Sequence, residues 1–86
     1  MNNIYALESM ASDLKRVAMG YHRGSTIMAK RFLNEALLRR DEVDMAQVKP
    51  YMRKVLMTIS YDVDSEHACM CATLIQNYTQ QLKKSK

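Results

Sequence analysis

Glycine and proline are scarce in this chain, with two glycines and one proline in 86 residues. A β-rich domain needs tight turns at short intervals, and tight turns draw on these two residues, so a strand-and-hairpin fold is excluded. Cysteine is nearly as rare. Cys69 and Cys71 lie two apart on an expected helix, where their side chains diverge by about 200° and cannot bridge each other. No disulfide framework is available, and Asn2, Asn3, Glu8 and Asp13 interrupt any export-type apolar run near the start. A reducing cytoplasm is the expected location. No stretch approaches the ~20 consecutive apolar residues that span a bilayer, so no membrane role is expected.

What is present is the mix of an ordinary folded domain: 48% hydrophobic and 26% charged residues, too apolar for a disordered chain. The length allows one domain, residues 1–86, burying roughly 60–65% of its unfolded surface. The formal net charge of +4 invites a polyanion-binding reading, but the placement of the charges matters more than their sum. Arg39 and Arg40 close the expected second helix, and Lys83, Lys84 and Lys86 close the last. Asp62, Asp64 and Glu66 stand where the last helix begins. Acid at helix starts and base at helix ends is what the helix dipole favours, so much of the charge is accounted for by helix ends.

The organising stretch is Ile4 to Leu38. Ile4, Leu7, Ala11, Leu14, Ala18 and Tyr21 recur at three- and four-residue steps and stack on one helix face. A first helix is expected over 3–22 and a second over 26–40, with Met28, Ala29, Phe32, Leu33, Ala36 and Leu37 on its apolar side. The junction carries opposed signals. Gly24 suits a left-handed helix terminus and Ser25 a new N-cap, which together predict a break. The apolar rhythm, however, passes through Tyr21, Ser25, Met28 and Phe32 in phase, which favours one helix continuous or bent around Gly20–Ser25. Unbroken, residues 4–38 would extend roughly 52 Å, longer than a compact domain of this size is wide. The short link at 41–44 makes helices 2 and 3 expected neighbours. The third helix either begins late, near Val48, or kinks at Pro50, where a missing N–H breaks the ladder. Residues 61–64 read as a turn, and a fourth helix is expected over 65–84 with Ala68, Cys71, Ile75, Tyr78 and Leu82 on its apolar face. The fold class is all-α, a small bundle of four amphipathic helices.

Catalytic constellations are missing from the pattern. No Gly-rich phosphate loop, GxSxG or HExxH occurs, and two histidines with nine scattered carboxylates do not converge. The chain reads as a non-enzyme without a cofactor. His67, Cys69 and Cys71 are the only cluster with metal-ligand chemistry, and a closed zinc site needs a fourth ligand that the sequence does not place nearby. The expected role of this cluster is packing, so no metal is assigned.

Interaction is the function class that remains. Eight methionines are an unusual number for this length, and methionine lines adaptable contact surfaces as well as filling cores. Met10, Met19 and Met57 fall at the flanks of their apolar stripes, where a second chain would cover them. The bend residues Tyr21, His22 and Arg23 add an aromatic, an imidazole and a guanidinium suited to recognition. Together these six residues are the expected partner-binding surface of a small adaptor or regulatory protein. The expected partners are a second copy in a homodimer and an unidentified protein. The alternative is nucleic-acid binding by a helix-turn-helix-like arrangement of residues 26–60, with Lys49, Arg53 and Lys54 toward a groove. Acidic residues in its turn count against that alternative.

Overall fold

A computed structural model of the chain describes residues 3–60 and 62–84. The expected roles of Asn2 on a polar face, Tyr61 in a turn and Lys86 at a helix end lie outside those residues. The chain forms an all-α bundle of four helices: α1 (Asn3–His22), α2 (Thr26–Asp41), α3 (Pro50–Met57) and α4 (Ser65–Lys84). A 3-10 turn, Met45–Gln47, interrupts the connection between α2 and α3. The bundle is elongated, 41 × 21 × 19 Å.

The break between α1 and α2 is built by local chemistry. Gly24 sits at φ 79°, a conformation that costs a residue with a Cβ roughly 1–2 kcal/mol. Ser25 N–H donates to the Gly20 carbonyl at 2.8 Å and Gly24 N–H to the Tyr21 carbonyl at 3.0 Å, the paired bonds of a Schellman terminus. The Ser25 hydroxyl then accepts from Met28 N–H at 3.3 Å and starts α2. The reversed chain lays α2 against α1 so closely that a Cβ on Gly20 would stand 2.9 Å from the Ala29 nitrogen. Glycine at 20 is therefore a packing requirement, and glycine at 24 a backbone one.

The question at Pro50 resolves into two short elements. Asp44 caps the 3-10 turn by accepting from Ala46 N–H at 3.2 Å, and α3 starts afresh with Pro50 in its first turn. There the missing N–H has no carbonyl to leave unpaired. The Asn3 side chain donates to the Asp44 carbonyl and accepts from Asp44 N–H, which ties this connection to the start of α1. Val43 and Val48 bury on either side of the turn. The expectation that α2 and α3 pack as neighbours needs correction: α3 seats on α4. Its tie to α2 runs through Arg40, whose guanidinium donates to the carbonyls of Leu56 at 3.2 Å and Ile59 at 2.7 Å. The Ile59 carbonyl lies just beyond α3, and the Leu56 carbonyl also accepts from Ile59 N–H at 3.3 Å.

The core is organised around α1, which packs against α2 on one side and α4 on the other. Its buried residues are Ala6, Leu7, Met10, Ala11, Leu14, Val17 and Gly20, wider than one stripe. Ala29, Leu33 and Ala36 meet it from α2, and Ala68, Ala72, Ile75 and Thr79 are buried on α4. Each fully buried large side chain here contributes roughly 1.5–3 kcal/mol of transfer free energy. Met10 corrects the sequence-based expectation. It is fully buried rather than left at an open flank, because the flank of α1 is covered by a second helix of the same chain. Thr79, the one buried polar residue among those described, donates its hydroxyl to the Gln76 carbonyl. No buried side-chain nitrogen or oxygen among the described residues lacks a partner.

Candidate functional site

Side chains tie three helix ends together: the close of α1, the close of α3 and the start of α4. Ser65 at the head of α4 donates its hydroxyl to the Ala18 carbonyl, and His67 Nε2 lies 3.0 Å from the Thr58 hydroxyl that caps α3. Asp64 caps α4 by accepting from His67 N–H at 2.8 Å. Between these ends lies a surface depression of about 240 Å³ lined by Thr58, Ser60, Asp62, Val63, Asp64 and His67.

The hydrogen-bond directions decide what this cluster can do. Thr58 Oγ1 donates its only proton to the Val55 carbonyl at 2.7 Å. His67 Nε2 must therefore donate to Thr58 Oγ1, and it is not placed to act as a base toward that hydroxyl. The Cys71 sulfur lies 3.9 Å from the same oxygen, and burial pushes its thiol up from its ordinary range, with the Thr58 contact opposing. A thiol held protonated is a poor nucleophile and a poor metal ligand. The Ser60 hydroxyl donates to Asp62 and, with the residue's own backbone N–H, holds that carboxyl below its usual range. Thr58 and Asp64 are engaged in helix caps, and Ser60 and Asp62 are engaged with each other. Among the described residues no three His, Cys, Asp or Glu side chains converge as metal ligands, and Cys69 points to solvent while Cys71 is buried.

No protein-family model, curated protein or solved structure matches this chain. Its function rests on geometry.

The residues singled out from the sequence distribute as follows. Met19, His22 and Arg23 are exposed in the last turn of α1 and just beyond it, and Met57 is exposed at the close of α3. Met70, in the second turn of α4, is exposed as well. Tyr21 is half-buried and packs on the core, and Met10 lies inside it. Lys49, Arg53 and Lys54 are exposed on α3 and its N-cap, with no side-chain hydrogen bond or ion pair among the described residues. A helix-turn-helix pair packs its two helices on each other, whereas α3 is seated on α4, its Tyr51 ring edge-on to Tyr78 at 5.8 Å. Arg39 and Arg40 are occupied within the chain, by Glu42 at 3.3 Å and by the α3 carbonyls.

Sequence reasoning missed the outer face of α2. Ile27, Arg31, Asn34 and Leu38 follow one another at steps of four, three and four, and all are exposed. Ile27 is 86% exposed and Leu38 60%, the former the most open large apolar side chain among those described. The signal was available: both residues fall outside the apolar side formed by residues 28, 29, 32, 33, 36 and 37, and so had no place in the bundle.

Proposed function

We propose that this chain is a non-catalytic interaction module that contacts protein partners through exposed apolar side chains on a closed helical scaffold. The observation that carries this reading is the exposure of Met19 (46%), Met57 (67%) and Met70 (52%), together with His22 and Arg23, near the close of α1, the close of α3 and the start of α4. Exposed apolar side chains that the core does not need are available to a partner, and methionine's flexible thioether adapts to varied partner shapes. The interior asks for nothing further, since its buried polar side-chain atoms are satisfied. No helix among the described residues is long and apolar enough to cross a membrane. The free thiols of Cys69 and Cys71 fit a reducing compartment such as the cytoplasm.

A second reading, nucleic-acid binding, is favoured by one observation. The exposed side of α3 carries Lys49, Arg53 and Lys54 free of ion pairs and no acidic residue. One experiment separates the two. Tagged protein is used to recover partners from native lysate after nuclease treatment, in parallel with a Met19→Glu/Met57→Glu variant. The interaction reading expects nuclease-resistant partners that the variant fails to recover while its circular dichroism is unchanged. Equal recovery by both proteins would overturn it. Recovery abolished by nuclease would shift the function to α3, where affinity for duplex should fall steeply with salt.

A further inference from the structure

The outer face of α2 is complementary to itself. Along the helix it presents an apolar residue (Ile27), a cation (Arg31), a polar and anionic pair (Asn34 and Glu35) and a second apolar residue (Leu38). None is needed to close the core, which α2 reaches through Ala29, Leu33 and Ala36. Reversed end to end, the series sets apolar against apolar and negative against positive, which is what a two-fold symmetric contact between identical surfaces requires. A parallel pairing would set Arg31 on Arg31 and Glu35 on Glu35.

We propose that α2 pairs antiparallel with α2 of a second copy of this chain, about a two-fold axis passing between Phe32 and Leu33. This rests on the interaction-module reading and names one of the module's partners. Ile27 of each protomer then packs on the partner's Leu38, and Arg31 lies alongside the partner's Asn34 and Glu35. The charges on α2 ask for such a partner. The Arg31 side chain has no ion pair or hydrogen bond among the described residues. Glu35 is exposed, and its like charge toward Asp13 of α1 counts for less at that carboxyl than the opposing charge of Arg16. A guanidinium from a second copy sets an opposite charge alongside the exposed Glu35 carboxylate. The same axis brings the exposed Arg23, just before α2, toward the partner's exposed Asp41 and Glu42 just at its end. The two helix dipoles run opposed, which also favours the arrangement. Ile27 to Leu38 covers only ~16 Å of helix, so the contact falls at or below the ~1,200 Å² low end of specific interfaces. The dimer is accordingly a weak and reversible one, with a Kd of micromolar or above.

Sedimentation of the purified chain from about 10 μM to 1 mM at low salt tests this directly. A concentration-dependent monomer–dimer equilibrium is expected. Ile27→Glu and Leu38→Glu should each raise the dimer Kd at least ~10-fold, with helicity unchanged because both side chains are exposed. Arg31→Glu and Glu35→Arg should each weaken the dimer, and the double variant should restore it to within about threefold of the native chain. A chain that stays monomeric throughout, a dimer indifferent to Ile27 and Leu38, or a double variant that fails to recover would each overturn the pairing. Those outcomes are independent of lysate recovery by the Met19 and Met57 surface. A strict monomer that still recovers partners ends the pairing alone, and a dimer that recovers none ends the adaptor reading alone.

Discussion

Helices α1 and α2 carry similar three-four patterns of apolar residues and end with opposite surfaces. α1 lies between α2 and α4, so it buries residues well beyond a single stripe, from Ala6 and Leu7 round to Val17 and Gly20. α2 packs along α1 on one side, and three of its residues are buried while Ile27 and Leu38 face water. An apolar residue at the edge of a stripe thus has no fixed meaning of its own. The number of neighbours its helix acquires decides whether it is core, as for Met10, or surface, as for Ile27. The difference also divides labour: α1 is buried on both sides, and α2 leaves a face open to solvent.

The largest effect that tests this division is truncation at the centre of α1. Leu14→Ala removes a fully buried side chain between two helices and should cost about 2–5 kcal/mol in denaturant unfolding. Ile27→Ala on the open face of α2 should change monomer stability by no more than about 0.5 kcal/mol. Similar losses from the two would erase the distinction between a central helix and a lateral one. The seam between the helices supplies an intermediate effect. Gly20→Ala brings a methyl within 2.9 Å of the Ala29 backbone, which must move for the pair to reseat, at a cost of about 1–3 kcal/mol. Gly24→Ala meets no neighbour and should cost only the ~1–2 kcal/mol of its left-handed backbone. Thermal unfolding of both variants separates the causes. A Gly20→Ala chain as stable as the native one would mean that α2 is not closely seated on α1.

Much of this architecture was legible in the sequence. The periods of Leu7–Leu14 and of Ala68–Leu82 marked α1 and α4, because long amphipathic helices repeat their signal over several turns. At the junction the local chemistry of Gly24 and Ser25 prevailed over the continuing apolar phase. A left-handed glycine and a side-chain cap terminate a helix whatever follows them. The phase continued because both helices present apolar residues to the same core from opposite directions. Pairwise geometry was not legible. Nothing in the spacing of Arg40 announces that it completes the carbonyls of Leu56 and Ile59, since that bond joins residues sixteen and nineteen apart. Of the expected partner surface, Met19, His22, Arg23 and Met57 are exposed, whereas Met10 depended on how many helices surround α1, which a period cannot count.

The smallest effect comes from the carboxyl at the α1–α2 seam. Burial raises the pKa of Asp13 above its ordinary 3.8, Arg16 opposes with an ion pair at 3.5 Å, and Glu35 adds to the rise. A raised carboxylate pKa means that the folded chain holds this proton more tightly than the unfolded one. Stability therefore declines as pH climbs from about 3.8 through the folded-state value, and the penalty persists at neutral pH. Asp13→Asn keeps the shape and removes the ionisation. It should raise Tm slightly at pH 7, the gain fading once the pH drops below about 3.8, where the native carboxyl is protonated in both states. Thermal unfolding of the two proteins at pH 3 and pH 7 is sufficient to measure it. A lower Tm for the variant at pH 7 would mean that the Arg16 pair outweighs the burial. The α1 side of the seam would then gain from its charge.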